Sequence, residues 1–505
     1  MQKFKENKNN LSASLNSLQA WIIIGKTAQK TVFRLQRRIA KALEHKHFNK
    51  AKALIYLLTH SFFGKVIAIL KIINNKGGKT AGVDNEIWTT AKQLQQAIVK
   101  MNRRTYKTKP LRRIYIKKKN GKKRPLSIPI MTDRAMQALY NLAYQPVAVW
   151  NADKNSYGFL PKRSCQDAIE QAFKCLSQKT CSQFIFEADI TGCFDNIDHQ
   201  WILENLNLFD KKLIKNWLKS GYIFKKQLFN TEKGTPQGGI ISPLLANMVL
   251  DGLEKYIRQK VKLYRGVNFI RYADDFIVTS PSLLIINEKI KPAVQEFLAL
   301  RGLTLSSEKT KIATINEGFD FLSFNIRKYN GTLLIKPSKS AVLSLYDKVR
   351  KELKLCQAKT TKELILRLNP ILRGWANYFR HVVSKKVFNK ADHVIRTMIQ
   401  KWAQRRHPTK RRGWIWQKYF TNAKVRGQLS EKIFNKKKKN NKYEINCLFL
   451  LSYIPIIRYV KVRSQANPFL QEYDKYYLKR TLQRNEQRTK IKQQTRYFAQ
   501  NKNVI

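Results

Sequence analysis

The sequence predicts an α+β protein in which a mixed region of strands and helices is followed by a helical region. Two observations lead to this prediction. From about residue 111 to 330, glycine-bounded apolar strands alternate with helical stretches. Beyond Pro337, apolar residues recur at spacings of three and four, which is the period of a helix.

The first predicted element is a basic amphipathic helical region over residues 26 to 70. Val32, Leu35 and Ile39 recur at helical spacing, with arginines and lysines between them. A loop rich in glycine and lysine follows at residues 74 to 82.

Two strand patterns of the mixed region end in acidic residues. Alternation along residues 184 to 190 puts Asp189 at the end of one strand. Residues 269 to 278 form a hairpin pattern with Asp274 and Asp275 at its tip. An isolated Asp-Asp pair is ordinarily a solvated turn. Two carboxylates crowded into a strand pair, however, repel each other unless a cation is present.

Capping signals predict the helices of the last region. Ser338 is a candidate N-cap, and Thr360 with Glu363 forms a capping-box pattern. Asn369 followed by Pro370 predicts the start of a further helix, as cap and first-turn residues.

The net charge indicates a polyanionic partner. The 505 residues contain 98 Lys plus Arg against 33 Asp plus Glu, a formal charge of +65, and nucleic acid is the expected partner. In residues 401 to 439, basic residues alternate with Trp414, Trp416 and Tyr419, a pattern typical of phosphate contacts plus stacking surfaces. A solvated charge run is the alternative, above all for the lysines at 436 to 439.

Cysteine spacing and apolar run length exclude other classes. The six cysteines include no CxxC pair, so neither a disulfide framework nor a zinc site is expected, and a reducing compartment fits. No membrane segment is expected either, because the longest apolar runs are far too short to span a bilayer.

A series of motifs in fixed order resembles the reverse transcriptase family, specifically the group II intron-encoded proteins, over residues 20 to 480. The hairpin reads Tyr-Ala-Asp-Asp, and the block around Gln237 reads Gly-Thr-Pro-Gln-Gly-Gly. The matching blocks are 79–84, 124–129, 156–159, 188–199, 234–243, 272–275, 305–310, 318–322, 373–379 and 402–408. Relatives with an HNH endonuclease end in paired cysteines and histidines. The last histidine here is His407, so no such endonuclease is expected.

The resemblance implies a right-hand polymerase, with fingers and an antiparallel palm sheet followed by an α-helical thumb or maturase domain. The expected segments are a basic N-terminal extension (1–70), fingers and palm (71–335), thumb and maturase domain X (336–430) and a basic DNA-binding-like remnant (431–505). The implied function is RNA-directed DNA synthesis by two-metal phosphoryl transfer, together with binding of group II intron RNA to assist splicing and with mobility left open.

The resemblance also implies roles for individual residues. Asp189, Asp274 and Asp275 are the expected catalytic residues, and they are expected to hold Mg²⁺ together with the Ile190 carbonyl. The expected substrate-binding residues are Ile190, Phe194, Gln237, Lys118 and Arg124. Arg373, Arg405 and Arg406 are the expected RNA contacts. Besides intron RNA, the implied partners are an RNA template, a DNA primer and dNTPs, without a membrane, and a homodimer is left open.

Two alternatives differ from this interpretation in class. A splicing factor that has lost polymerase activity would show a broken set of carboxylates, whereas all three aspartates are present. A reverse transcriptase unconnected with introns would lack the domain X resemblance after Pro337.

The abundance of Lys, Asn, Ile and Phe suggests an A/T-rich genome, so an organelle, in particular a chloroplast, is the expected location. The bacterial cytoplasm is the alternative.

Overall fold

The computed structural model describes residues 17–117, 121, 123–262, 266–421, 428–434 and 443–500. They form two units that interleave along the chain. The first unit comprises the described parts of 1–168, 184–312 and 462–475, and the second those of 169–183, 313–461 and 476–505.

Three helices open the first unit, where the apolar spacing of residues 26 to 70 predicts helical structure. They are α1 (Leu18–Glu44), α2 (Phe48–His60) and α3 (Phe62–Ile73). The helix α1 begins where the Ser17 hydroxyl accepts a hydrogen bond from the Ala20 N–H. Its apolar face buries Trp21 completely. A short 3₁₀ turn, Lys76–Lys79, lies in the predicted glycine and lysine loop.

Helices and strands then alternate as far as residue 314. In chain order they are α4 (Ala91–Lys100), β1 (Leu111–Lys117), β2 (Lys123–Ile128), α5 (Met131–Asn151), α6 (Cys165–Leu176), β3 (Phe184–Ala188), α7 (Cys193–Asn196), α8 (His199–Asn205), α9 (Lys211–Leu218), β4 (Tyr222–Phe224), β5 (Gln227–Phe229), α10 (Ser242–Leu250), α11 (Leu253–Lys260), β6 (Asn268–Tyr272), β7 (Asp275–Ser280), α12 (Leu283–Ile285), a π turn (Ile286–Ile290), α13 (Lys291–Ala299) and β8 (Lys311–Thr314).

Two four-stranded sheets of this region frame the candidate site. One has the strand order β2-β1-β4-β5 and contains a single parallel pair, β1 with β4. The other has the order β6-β7-β3-β8, in which β7 runs antiparallel to both β6 and β3. The register sets Ala188 opposite Phe276, so the chain after β3 emerges beside the β6-β7 turn.

A single apolar core holds the first unit together. Its central element is α5, which is buried on nearly every side and packs against α1, α2, α3 and α10. Phe186, Phe269 and Phe276 belong to the same core, so the sheet that carries the acidic residues is anchored directly on it. Burial of such aromatic side chains contributes about 1.5–3 kcal/mol each.

The second unit combines short sheets with long helices. Its elements after β8 are β9 (Phe319–Phe321), β10 (Phe324–Tyr329), β11 (Thr332–Pro337), α14 (Lys339–Leu355), α15 (Thr361–Phe379), α16 (Lys385–Arg406), α17 (Arg412–Tyr419), β12 (Phe420–Thr421), β13 (Gln428–Phe434), β14 (Tyr443–Cys447), a 3₁₀ turn (Leu451–Tyr453) and most of α18 (Asp474–Gln500). The Ser338 hydroxyl caps α14, and Thr360 with Glu363 forms the predicted capping box of α15. The α+β class and the helical region after Pro337 are therefore confirmed.

The prediction that a helix begins at Asn369 and Pro370 is wrong. The helix α15 continues through Pro370, which lies in its interior. A proline there leaves one carbonyl, that of Leu366, without its helical donor. Leu366 itself is 58% exposed. The Asn369 side chain does not cap a helix. It accepts a hydrogen bond from Phe449 N–H, just beyond β14, and donates one to the carbonyl of Cys447, the last residue of β14.

No single helix of the described residues is both long and apolar enough to cross a bilayer. The helices α2 and α3 meet that criterion only as a pair, across a 64° bend.

Candidate active site

The acidic hairpin is fixed by the register of β6 and β7. Tyr272 lies opposite Asp275, so Ala273 and Asp274 form the turn and Asp275 begins β7. Ala273 adopts a left-handed conformation with φ of 59°. Gly158 packs against this turn so closely that a Cβ there would collide with the Ala273 backbone. The block at 156–159 therefore supports the hairpin, and a glycine is required for the approach.

A buried ion pair formed by Arg271 stabilises the hairpin. Arg271 is 0% exposed, and its guanidinium donates hydrogen bonds to Asp251 and to the Ala273 carbonyl. Asp153 lies 4.0 Å from the same guanidinium. Removing one partner of such a buried pair is costly because it strands the other charge. Arg271 thus fixes the turn that carries the candidate catalytic residues.

Asp189 lies directly beside this hairpin. It follows the last residue of β3, whose pairing with β7 puts Asp189 next to Asp275. Burial and the neighbouring charges of Asp274 and Asp189 raise the pKa of Asp275 to about 7. Burial, with the charge of Asp189, also raises the pKa of Asp274. Part of the Asp275 surface faces solvent, and screening there limits its shift.

Lys309 partly neutralises this negative cluster. Its ammonium lies 2.7 Å from Asp189 Oδ2, and that hydrogen bond raises the pKa of Lys309. Its segment is held by Ser306 N–H, which donates to the Asp189 carbonyl, and by Thr191 N–H, which donates to the Thr304 carbonyl. The first bond is accepted by the Asp189 carbonyl and the second is donated by the Thr191 N–H, so neither involves the Ile190 carbonyl.

The donor set fits a divalent cation in its chemistry. Three neighbouring carboxylates and a backbone carbonyl are oxygen ligands of the kind that Mg²⁺ prefers. Within the described ranges, however, no three Asp, Glu, His or Cys side chains converge closely enough to enclose one ion. The three carboxylates are therefore neighbours, but they do not surround a single ion position. One of them, Asp189, is paired with Lys309.

A second set of polar side chains continues from this cluster. Arg124 Nε donates to Gln237 Oε1 at 2.7 Å, and Gln237 Nε2 donates to Asp195 Oδ2 at 2.9 Å. The Gln237 carbonyl accepts from Ser127 N–H at 2.7 Å. Gly238 has a φ of +117°, and a Cβ there would stand 2.5 Å from the Ser127 carbonyl, so only glycine fits.

Two residues of this series of hydrogen bonds, Gln237 and Asp195, line a cavity of about 600 Å³. Phe194, Asp195 and Gln237 line one part of it. Phe194 is half-buried and packs on the core, and its carbonyl accepts a hydrogen bond from Thr235 N–H. Arg124, which bonds Gln237, also acts on the carboxylate cluster, since its charge opposes the rise in the pKa of Asp274.

The structure separates the predicted site residues into groups. Asp189, Asp274 and Asp275 lie side by side, Gln237 and Phe194 line the cavity, and Arg124 bonds Gln237. Lys118 lies outside the described residues. Sequence reasoning missed Asp195, Lys309 and Arg271, although Asp195 and Lys309 belong to recognised blocks and Arg271 to the recognised hairpin pattern. Their partners lie far away in sequence, and no local pattern signals them.

The three predicted RNA contacts lie on helices of the second unit. Arg373 is exposed on α15, with its guanidinium 5.4 Å from the Phe449 ring centroid. Arg405 is exposed at the end of α16. Arg406 donates to the Lys359 carbonyl and covers the Trp402 ring, so part of its function is structural.

Three family profiles match the chain in order. They are the N-terminal domain of reverse transcriptase at residues 21–101, reverse transcriptase (RNA-dependent DNA polymerase) at 116–326, and the group II intron maturase-specific domain at 342–420.

Curated relatives agree with these matches. The group II intron-encoded protein LtrA of Lactococcus lactis subsp. cremoris is 29% identical over 420 residues, covering 64% of this chain and 69% of LtrA. Protein YkfC of Escherichia coli is 30% identical over 300 residues, covering 50% of this chain and 77% of YkfC. A 59.8 kDa protein in psbD intron 8 of Euglena gracilis is 26% identical over 299 residues, covering 53% of this chain and 58% of that protein.

Proposed function

Because the chain belongs to the group II intron-encoded reverse transcriptase and maturase family, we propose that Asp189, Asp274 and Asp275 form its polymerase active site. The protein is an RNA-directed DNA polymerase with a maturase domain. The observation that supports the site is the register that sets Asp189 beside the Asp274 and Asp275 turn.

A reverse transcriptase domain implies divalent metal ions, and we propose Mg²⁺. Asp189, Asp274 and Asp275, with the Ile190 carbonyl, would hold the ions. Such ions, when bound, activate a primer hydroxyl and stabilise the charge on the transferring phosphate. Lys309 must then leave Asp189 or share it, and its exposed side chain leaves room for that movement.

Gln237 and Phe194, which line the 600 Å³ cavity, and Arg124, which bonds Gln237, would select and orient the nucleotide. Arg124 supplies a guanidinium for the triphosphate of a dNTP, as a guanidinium neutralises phosphate charge. Gln237 holds that guanidinium by a hydrogen bond, and Asp195 fixes the orientation of the Gln237 amide. Phe194 presents a half-buried ring to the cavity, where it would exclude a 2′-hydroxyl. We propose that Lys118 assists Arg124.

Splicing assistance would come from binding rather than from catalysis by the protein. A protein that binds the active form of intron RNA more tightly than other forms shifts the RNA towards that form. The match at 342–420 and the exposed Arg373 and Arg405 support this assignment, with Arg406 as a third contact. The matches at 116–326 and 342–420 lie within the proposed segments 71–335 and 336–430, whereas the match at 21–101 extends past the proposed end of segment 1–70. Segment 431–505 stays a prediction.

Bacterial and organellar locations both fit the relatives, which include LtrA of Lactococcus lactis and a protein in psbD intron 8 of Euglena gracilis. Among these we propose an organelle, in particular the chloroplast, on the basis of composition. A reading frame inside a group II intron of organellar DNA would support this location, and one in a bacterial chromosome would contradict it. The homodimer stays a prediction, to be tested by sedimentation.

Replacing Asp274 tests the active-site assignment. Asp274→Ala is expected to abolish Mg²⁺-dependent cDNA synthesis on a primed RNA template, because it removes a carboxylate ligand. Asp347→Ala is the matched control, since Asp347 is an exposed carboxylate on α14 whose ion pair among the described residues is with Arg350. Both variants should still bind RNA. Full cDNA synthesis by Asp274→Ala would refute the assignment.

A further inference from the structure

A second cavity lies in the region that matches the maturase-specific domain, between α16 and α17. Its volume is about 430 Å³, within the usual range for small-ligand sites. The side chains on which the argument depends are Gln400, Lys401, Gln404, Arg412, Trp416 and Phe420.

Only one of the three aromatic residues that the sequence pattern singled out lines this cavity. Tyr419 is 3% exposed and bonds His407, so it belongs to the core. Trp414 is covered by the ammonium of Lys418, 4.6 Å from a ring centroid. Trp416 is half-buried, and the remainder of its indole surface lines the cavity.

The aromatic wall of the cavity is preorganised. The Trp416 and Phe420 rings are stacked, with centroids 5.0 Å apart and planes at 28°. Phe420 is itself buried, so it fixes the orientation of the indole. A rigid indole offers a stacking surface to a planar ring at little cost in side-chain entropy.

Two glutamines face the same cavity. Gln400 and Gln404 lie one turn apart on α16, so they project from one face of the helix. Among the described residues, neither amide group has a hydrogen-bond partner. Each amide offers both a donor and an acceptor, as the edge of a nucleobase does.

The charges around the cavity favour a phosphorylated ligand. Lys401 and Arg412 line it and are exposed, whereas no Asp or Glu is among its lining residues in the part of the chain that the structure describes. A ring that stacks on Trp416 would therefore carry its phosphate towards these two cations.

We propose that this cavity binds one unpaired nucleobase of the intron RNA. The base stacks on Trp416, its edge bonds the amides of Gln400 and Gln404, and the adjoining phosphates contact Lys401 and Arg412. The proposal rests on the proposed maturase function and adds to it a site that recognises an unpaired nucleotide.

Two RNA hairpins that differ only in their loops test this site. One carries a mixed-sequence loop, and the other carries the same loop with abasic nucleotides, so both have the same phosphates. The wild-type protein should bind the first hairpin more tightly at moderate salt. Trp416→Ala should weaken that binding about 5- to 150-fold, the equivalent of one lost base stack, and should bind the two hairpins equally.

Trp414→Ala is the matched control, because it removes an aromatic ring two residues away that lies outside the cavity. It should keep the preference for the base-containing loop, and Trp416→Phe should restore part of it. If Trp416→Ala failed to fold, Gln400→Leu with Gln404→Leu on the surface of α16 should reduce the same preference.

Two results would overturn the proposal. One is an unchanged preference in Trp416→Ala, and the other is equal binding of both hairpins by the wild-type protein. If either result is obtained while the wild-type protein still assists splicing, only the base pocket fails. If the protein neither binds its host intron nor assists its splicing, the maturase function itself fails.

Discussion

At the scale of single residues, the sequence predicted the carboxylates better than their partners. Asp189, Asp274 and Asp275 belong to motifs that can be recognised locally, and strand pairing then sets them side by side. The bonds from Lys309 to Asp189 and from Gln237 to Asp195 join residues 120 and 42 positions apart. Only the folded chain shows these pairs, because no spacing rule relates their positions.

Asp275 should make the metal-free protein less stable as pH rises. Its pKa of about 7 is above the ordinary value, so the folded state holds the proton more tightly than the unfolded state. Its contribution to stability is therefore complete below about pH 4 and is lost as pH rises through about 7. In EDTA, Asp275→Asn should stabilise the protein at pH 8, by about 1 kcal/mol after allowance for solvent screening.

Thermal unfolding of both proteins in EDTA at pH 5 and pH 8 measures this difference. The variant should gain stability chiefly at pH 8. An equal gain at both pH values would argue against carboxylate crowding, since a protonated Asp275 has no charge to repel.

At the scale of elements, the position of the acidic turn depends on its supports. Gly158 leaves room for the Ala273 backbone, and the buried Arg271 side chain donates a hydrogen bond to the Ala273 carbonyl. The sequence predicted the hairpin because its two apolar strands flank a short turn. It did not predict the ion pairs of Arg271, because the sequence alone does not show that Asp251 and Asp153 lie beside this strand residue.

Arg271→Met should destabilise the first unit by about 3–5 kcal/mol, because it leaves buried carboxylates without their cation. The matched control is Arg350→Met, which breaks an exposed ion pair worth at most about 1 kcal/mol. Thermal unfolding compares the two variants. Arg271→Met combined with Asp251→Leu should recover part of the loss. An Arg271→Met protein as stable as the control would contradict the supporting role.

The helices show where local signals suffice and where they fail. Ser338 and Thr360 act over three residues, so their capping hydrogen bonds could be predicted from sequence. Asn369 and Pro370 carry an equally strong local signal. The continuous apolar face of α15, which buries Leu368 and Leu372 on either side of Pro370, overrides it.

At the scale of the whole molecule, the sequence predicted consecutive segments, whereas the contacts define two interleaved units. Residues 462–475 return to the first unit, where Val462 N–H donates to Asp167 and Asp474 pairs with Arg37. Such returns cannot be predicted from composition. The charge of +65 belongs to a chain with an extensive apolar core, so it lies mostly on folded surfaces that can bind nucleic acid.

Iron(II) substituted for magnesium tests whether Asp189 and Asp274 share a metal site, because in the presence of ascorbate and peroxide it cuts the polypeptide beside the site that binds it. We expect backbone cuts near Asp189 and near Asp274, suppressed by excess Mg²⁺ and absent from Asp189→Asn and Asp274→Asn. Cuts elsewhere in the chain, or cuts that persist in both variants, would contradict a shared site.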